Sequence, residues 1–380
     1  MAKPPLWMPH FRAVAAPPHS YNHRFVSIFF TGFPGFLGSE LLPRVLGRTD
    51  DHALCLVQPK FRALAEERAR SIEAAHPALA GRIRLVEGDI TQPLDAIDAS
   101  DIRELWHLAA VYDLTVAREL GVRVNVTGTA RILDLAARAP RFERLHYIST
   151  CYVSGNHPGL FTEDDLEKGQ PFNNYYEETK YLAELEVRKR MRAGLPATIY
   201  RPSVVVGDSV TGTTQKFDGP YFILQWLMRQ PKVAMLPVVG RPSRYHFNVV
   251  PRDFVMNAIE YLSALPQSKG KTYAVADPAP LTVDETIDTI ADAAGRKVLR
   301  VPLTKSIAKG ALRHVPGVFR LMRIPPAAVD YFVHPTLYDT TNTNADLAGS
   351  GIVAPRLRDY APRLVDFWRA HREIGSAAMV

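Results

Sequence analysis

Two side chains one helical turn apart, Tyr176 and Lys180, are the pair in this 380-residue sequence whose chemistry is most specific. A carbonyl that accepts a hydride needs a proton for the oxygen that gains negative charge. A phenol can supply it when a neighbouring cation lowers its pKa from about 10. In Tyr176-Glu-Glu-Thr-Lys180 the ammonium falls on the same helix face as the phenol, where it lowers that pKa and can also hydrogen-bond a ribose. With 15 Tyr and 12 Lys in the chain, about 0.5 such pairs arise by chance, so position rather than spacing carries the argument. The pair opens the helix that follows a fifth apolar strand, Arg144–Ser149, and that strand ends in Ser149-Thr150. A hydroxyl there can hold the substrate oxygen beside the phenol, Thr150 first and Ser149 as its substitute. Tyr175 has only Thr179 four residues on and is the wrong partner. The bland reading of Tyr176 and Lys180 is an exposed helix pair.

Hydride chemistry needs a cofactor, and the first strand runs into Thr31-Gly32-Phe-Pro-Gly35-Phe36-Leu37-Gly38. One glycine allows the tight turn, a second lets backbone approach a pyrophosphate, and a third lets the following helix pack on the strand. The helix N-terminus then offers free N–H groups to the phosphates. Beyond the second strand, about 20 residues after the turn, an acidic side chain would bind both ribose hydroxyls. Gln58 stands there instead, no Asp or Glu follows before Glu66, and Lys60 and Arg62 are close by. A cation there pairs with a 2′-phosphate, so NADPH is expected over NADH. Their bland reading is a solvated loop. Asp89 and Ile90 close the third strand, where a carboxylate can accept from an adenine amino group or simply form a turn. His107-Leu108-Ala109-Ala110 ends the fourth, where small residues admit the cofactor.

Strand-sized apolar runs alternate with amphipathic segments to position these groups. The strands are Phe25–Thr31, Ala53–Val57, Ile83–Glu87, Glu104–Leu108, Arg144–Ser149 and Ala197–Val206; helices are expected over Leu37–Leu46, Arg62–Ala75, Arg118–Ala137 and Glu177–Arg192. Such alternation predicts a parallel sheet covered on both faces, a doubly wound α/β (Rossmann) domain with a smaller C-terminal substrate-binding lobe. The expected boundaries are a flexible extension over 1–24, the dinucleotide-binding domain over 25–207 with 246–280 returning to it, and the lobe over 208–245 and 281–380. From Leu281 onward the pattern reads helix, loop, helix.

Composition narrows the classes. Two cysteines cannot build a disulfide framework and point to a reducing compartment, hence a cytoplasmic location. The 46 Lys+Arg against 39 Asp+Glu leave a charge of +7, which favours anionic ligands or an acidic membrane surface. The arginines are scattered and no run of five like charges occurs, so nucleic acid is not an expected partner. The histidines show no metal spacing, and no metal site is expected. Cys151 adjoins Thr150, but no activating base is evident for a thiol nucleophile.

The ordered set resembles the extended short-chain dehydrogenase/reductases over residues 25–280, whose first turn is T-G-x-x-G-x-x-G and whose Ser/Thr, Tyr and Lys act together. Thr150, Tyr176 and Lys180 align with those roles, and Asn125 matches a further family position. FFTGFPGFLGSELL, HYISTCYVSG and IYRPSVVVGDSVTG resemble the branch of fatty acyl-CoA reductases and thioester reductases of male-sterility type, and the last of these adds Pro202 and Val204 to the implied cofactor contacts. The resemblance implies NADPH-dependent reduction of a fatty acyl thioester, CoA- or carrier-linked, to aldehyde or alcohol, and dimers like those frequent in the family. A sterol- or flavonol-type dehydrogenase, a sugar-nucleotide epimerase or dehydratase, and a non-catalytic dinucleotide-binding scaffold are the competing readings. The segment 304–323 interleaves Lys305, Lys309, Arg313, Arg320 and Arg323 with apolar residues. It could line an acyl tunnel, bind a CoA phosphate, lie peripherally on a membrane, or simply be an amphipathic helix over the sheet.

Overall fold

The computed structural model describes residues 26–304 and 326–375. The extension 1–24 and all of the basic stretch but Thr304 lie outside the described residues.

From the amino terminus the chain runs β1 (Val26–Thr31), α1 (Phe36–Leu46), β2 (His52–Val57), α2 (Arg62–Ala75), β3 (Ile83–Glu87) and β4 (Glu104–His107). Then come α3 (Arg118–Gly121), a wide π-helical turn (Val122–Thr127), α4 (Gly128–Arg138), β5 (Arg144–Ile148), β6 (Gly159–Phe161) and α5 (Tyr175–Arg192). The second half continues through β7 (Ala197–Pro202), β8 (Val204–Val206), α6 (Tyr221–Met228), β9 (Val233–Val239), β10 (Val249–Pro251) and α7 (Arg252–Ala264). It closes with β11 (Thr272–Val275), α8 (Val283–Ala294), β12 (Lys297–Leu303), β13 (Thr336–Tyr338), α9 (Thr341–Leu347) and α10 (Leu357–Ala370).

Seven parallel strands form the main sheet in the order β11-β7-β5-β4-β1-β2-β3. The doubly wound fold expected from sequence is therefore present. Its cause is visible in alternate residues of β1: Ile28 and Phe30 join one core with Leu41, Leu42 and Val45 of α1, Ile72 of α2 and Ile259 of α7. Phe29 faces the opposite core with Ile132 and Leu133 of α4 and Ala183 and Val187 of α5. Burial on both faces makes every residue of β5 buried, which is why the central strands read as continuous apolar runs.

A third core joins α6, β9, α8 and α10 through Leu224, Leu236, Ile287, Tyr360 and Leu364. Here the structure departs from the pattern expected after Leu281. Helix α8 is followed not by a loop but by β12, which pairs in parallel with β9 along its whole length. Each of these strands carries a proline, Pro237 and Pro302, and the alternation is broken there. The parallel pairings β8–β10 and β6–β13, three residues each, join segments far apart in the chain and leave no periodic signal of the partnership. No helix of the described residues is long and apolar enough to cross a membrane.

Candidate active site

The strand order reverses between β1 and β4, and ligands of such sheets bind beyond the carboxyl ends at that reversal. The turn from β1 into α1 is built for close approach. Gly32 has φ +91°, and a Cβ on it would stand 2.8 Å from the Leu108 backbone. A Cβ at Gly38 would collide with the Gly32 carbonyl oxygen, so any side chain there breaks the turn. Gly35 caps α1 without a side-chain acceptor and no carboxylate occupies the first turn, which leaves the N-terminal N–H groups for an anion. Phe36 lies under the Arg252 guanidinium, 5.5 Å from its ring, and Leu37 packs against the core. Across the reversal, Thr31 Oγ1 meets His107 Nδ1 at 2.8 Å and accepts from the Ala109 N–H at 3.2 Å. This fastens the small-residue segment of Ala109 and half-buried Ala110 beside the turn. These features fit a dinucleotide.

At the far end of the crevice several expected contacts are engaged elsewhere. Asp89 accepts from the Thr91 N–H at 2.7 Å and from Gln58 Nε2 at 3.0 Å, the geometry of its turn-forming reading. Ile90 is a core residue. Arg62 pairs with Glu66 at 2.7 Å and Glu87 at 3.9 Å, while the Lys60 ammonium lies 5.0 Å from the Phe61 ring. The cation that reaches the phosphate turn is Arg68, which the sequence reading passed over: it donates to Ser39 Oγ at 2.9 Å, and Ser39 donates to the Pro34 carbonyl at 2.9 Å. Its place on α2, three residues after buried Ala65 and next to buried Ala69, was the available signal.

The chemical centre stands where β5 ends and α5 begins. Thr150 caps the short 3₁₀ turn Cys151–Ser154, accepting from the Tyr152 N–H at 3.2 Å and reaching the Pro202 carbonyl at 3.5 Å. Val204, two residues on, packs half-buried on the lobe core. Helix α5 is started by Asn174, whose side chain accepts from the Glu177 N–H, and by two acidic residues in its first turn. That start turns Tyr176 inward, to the side of Thr150, whose influence favours the ionised phenol. The sequence reading had Lys180 lowering this phenol's pKa. In the structure the phenol lies above its ordinary value, because burial outweighs the opposing influence of Thr150 and the carboxylates of Glu177 and Asp218 add to the rise. Lys180 faces the sheet instead, donating to the Ile148 carbonyl at 2.8 Å and to the Tyr147 hydroxyl at 3.2 Å. Burial brings its pKa down to about 8, with Glu184 opposing the fall.

Ser149 is directed elsewhere: its hydroxyl donates to Glu184 at 2.6 Å, within a buried group formed with Arg201 and Arg188. Cys151 is buried, its thiol donates to the Arg201 carbonyl, and desolvation raises its pKa, as suits a packing residue. Asn125 sits in the π-helical turn, accepting from the Val111 N–H at 2.9 Å and donating to Thr179 of α5 at 3.0 Å; it joins the post-β4 connection to the helix that carries Tyr176. No group of His, Cys, Asp and Glu among the described residues could hold a metal ion. Two neighbours of the phenol, Tyr112 and Asp218, carry no sequence signal, nor does Lys216, which lies over the Tyr112 ring. No motif marks them, and tertiary packing alone brings them together.

Comparison with known proteins agrees with this arrangement. The sequence profile of a family described as Male sterility protein matches residues 30–259. A linear gramicidin synthase of Brevibacillus parabrevis is 28% identical over 285 residues, 70% of this chain and 5% of that protein. L-2-aminoadipate reductase of Saccharomyces cerevisiae is 26% identical over 287 residues, 65% of this chain and 19% of that protein. The chain thus spans only a small part of these curated relatives. Among solved structures, the terminal R domain from the myxalamid PKS-NRPS biosynthetic pathway superposes with a TM-score of 0.78 at 28% identity, covering 93% of this chain and 92% of that one.

Proposed function

This chain belongs to the male sterility protein family of extended short-chain dehydrogenase/reductases, and from that membership we propose that it reduces a hydrophobic acyl thioester, CoA- or carrier-linked, with NADPH. The observation that carries the reading is the buried Tyr176 phenol set beside Thr150 at the crevice of the strand reversal. The likeness to the myxalamid R domain over nearly the whole chain supports it, as does the match to a reductase of aminoadipate. Arg68, which reaches Ser39 at the glycine turn, supports the phosphorylated cofactor.

The nicotinamide, when bound, supplies the hydride. Thr150 holds the carbonyl oxygen and Tyr176 donates its proton to that oxygen as negative charge develops. Lys180, one turn along α5 from Tyr176, hydrogen-bonds the ribose once released from the Ile148 carbonyl. The tetrahedral product then breaks its C–S bond: sulfur leaves as thiol with a proton, and the oxygen's electrons re-form the carbonyl of an aldehyde.

The test is NADPH oxidation against acyl-CoAs, free aldehydes, sterols and nucleotide sugars. Turnover of the thioesters is the expected outcome, and turnover of nucleotide sugars alone would sink the reading.

The pH dependence follows from Lys180. Its ordinary value of 10.5 is brought down to about 8, so it is charged below pH 8 and neutral above. A cation needed at the cofactor is then lost as pH rises, and kcat/KM falls about tenfold per unit above that value. In Lys180→Arg, whose guanidinium stays charged, the alkaline limb moves up by more than about one unit. A wild-type profile flat to about pH 9.5 would show that this lysine's charge is not used.

A further inference from the structure

We infer that Tyr112 is a specificity-determining residue: its ring is the wall on which the carbons next to the reacting carbonyl lie, held in place by Lys216 and Asp218. This rests on the reading that a carbonyl oxygen sits between Thr150 and Tyr176. The Tyr176 side chain is only 7% exposed. It is enclosed by Val111, Val116, Leu114, Leu120 and Val124, with Tyr112 against its ring. Of these neighbours Tyr112 is the exposed one, at 40%, so the open approach to the phenol runs along its ring.

The ring is fixed from three directions. Its edge meets the Tyr176 ring at 5.0 Å between centroids, with an interplanar angle of 75°. The Lys216 ammonium lies 4.1 Å from its centroid, a cation over an aromatic face. Asp218 lies beside its hydroxyl, close enough to act on it, and the same carboxylate holds Lys216 at 2.8 Å. The supports of this arrangement are firm on both sides. Asn125 accepts from the Val111 N–H and donates to the Val111 carbonyl, fixing the backbone just before Tyr112. Between Lys216 and Asp218, the Phe217 side chain is fully buried and its N–H donates to the Gly375 carbonyl at 3.1 Å. A wall whose ring and supports are both held cannot give way to a bulkier substrate without losing contacts, which is the condition for selecting shape next to the carbonyl.

The test compares kcat/KM for butanoyl and 2-methylpropanoyl thioesters of N-acetylcysteamine, and for butanal and 2-methylpropanal, by NADPH oxidation. Tyr112→Ala should raise the branched-to-straight ratio by about tenfold, the range that one methyl group commands in an apolar site. Tyr112→Phe keeps the wall and should stay within about threefold of wild type, and neither substitution should alter the Kd for NADPH. Lys216→Met frees the ring without touching the core and should shift the ratio in the same direction, which keeps the test decisive if Tyr112→Ala does not fold. A shift above about threefold in either variant supports the inference, and a smaller one in both overturns it. Turnover of aldehydes but not thioesters overturns the thioester reading while the aldehyde ratio still decides on Tyr112. A wild-type protein inert towards both pairs overturns the carbonyl reading and this inference with it.

Discussion

Tyr176→Phe lowers turnover by about 10²–10⁴-fold while the Kd for NADPH stays within about twofold of wild type. The substitution removes one oxygen and little else. The ring still meets Tyr112 and still packs with Val111 and Val116, and the Thr150 hydroxyl keeps its contact with the Pro202 carbonyl. What is lost is the hydroxyl set beside Thr150 that is proposed to donate the proton. Single-turnover NADPH oxidation reads the chemical step, and titration of cofactor fluorescence reads binding. Retention of more than about a tenth of the wild-type rate would mean that another group donates the proton. A scaffold that merely holds a dinucleotide would show no rate to lose.

Arg201→Met should destabilise the protein by about 3–5 kcal/mol, the cost of leaving a buried charge without its partner. Both members of the pair are almost wholly shielded from water: Arg201 is 2% exposed and Glu184 is 0%. Their closest approach is 2.6 Å, and Arg201 also donates to the Asp165 carbonyl at 2.7 Å. Burial alone would raise the Glu184 pKa, but Arg201, then Arg188 and Ser149, bring it below its ordinary 4.5. A carboxyl with a depressed folded pKa stabilises the fold fully above its unfolded value, and that stabilisation is lost as pH falls through the folded value. Wild type and variant should therefore differ most near neutrality, and the difference should shrink as pH falls below 4.5 through the depressed folded value. Urea unfolding midpoints at pH 7 and pH 4 measure both effects. A difference under about 1 kcal/mol at pH 7 would show that Arg188 compensates alone.

The same cluster explains why Ser149 reads as chemistry in the sequence and serves packing in the structure. In Ser149-Thr150 the two hydroxyls are adjacent, and nothing in the local pattern says which leaves the strand on the catalytic side. The strand alternation sends successive side chains to opposite faces, so one of the two must turn away. The buried Glu184, seven residues after Glu177 on α5, claims Ser149, and Thr150 is left for Tyr176. A similar division holds for the cations near the second strand. Arg62 is four residues before Glu66 and pairs with it along the helix, whereas Arg68 has a helix position that carries it to Ser39. Local spacing predicted the presence of cations there but not which of them would be spent on a neighbouring carboxylate.

Much of the fold was legible because the sequence itself imposes it. Short buried strands alternating with amphipathic helices leave few arrangements besides a doubly wound sheet, and three glycines, two in the turn after the first strand and one in the first turn of the helix, specify that turn to within a residue. The strands β9 and β12 were not legible, since each offers a broken alternation and their pairing joins segments some 60 residues apart. The phenol's surroundings were hidden for the same reason. Sequence determined that Tyr176 and Lys180 share a helix face, because the helical period is a local property. Only the tertiary structure decided that Lys180 bonds the sheet, that Thr150 lies beside the phenol, and that Tyr112, held by Lys216 and Asp218, packs against it. Those contacts depend on how separate elements dock, and docking is set by burial and charge pairing across the whole chain.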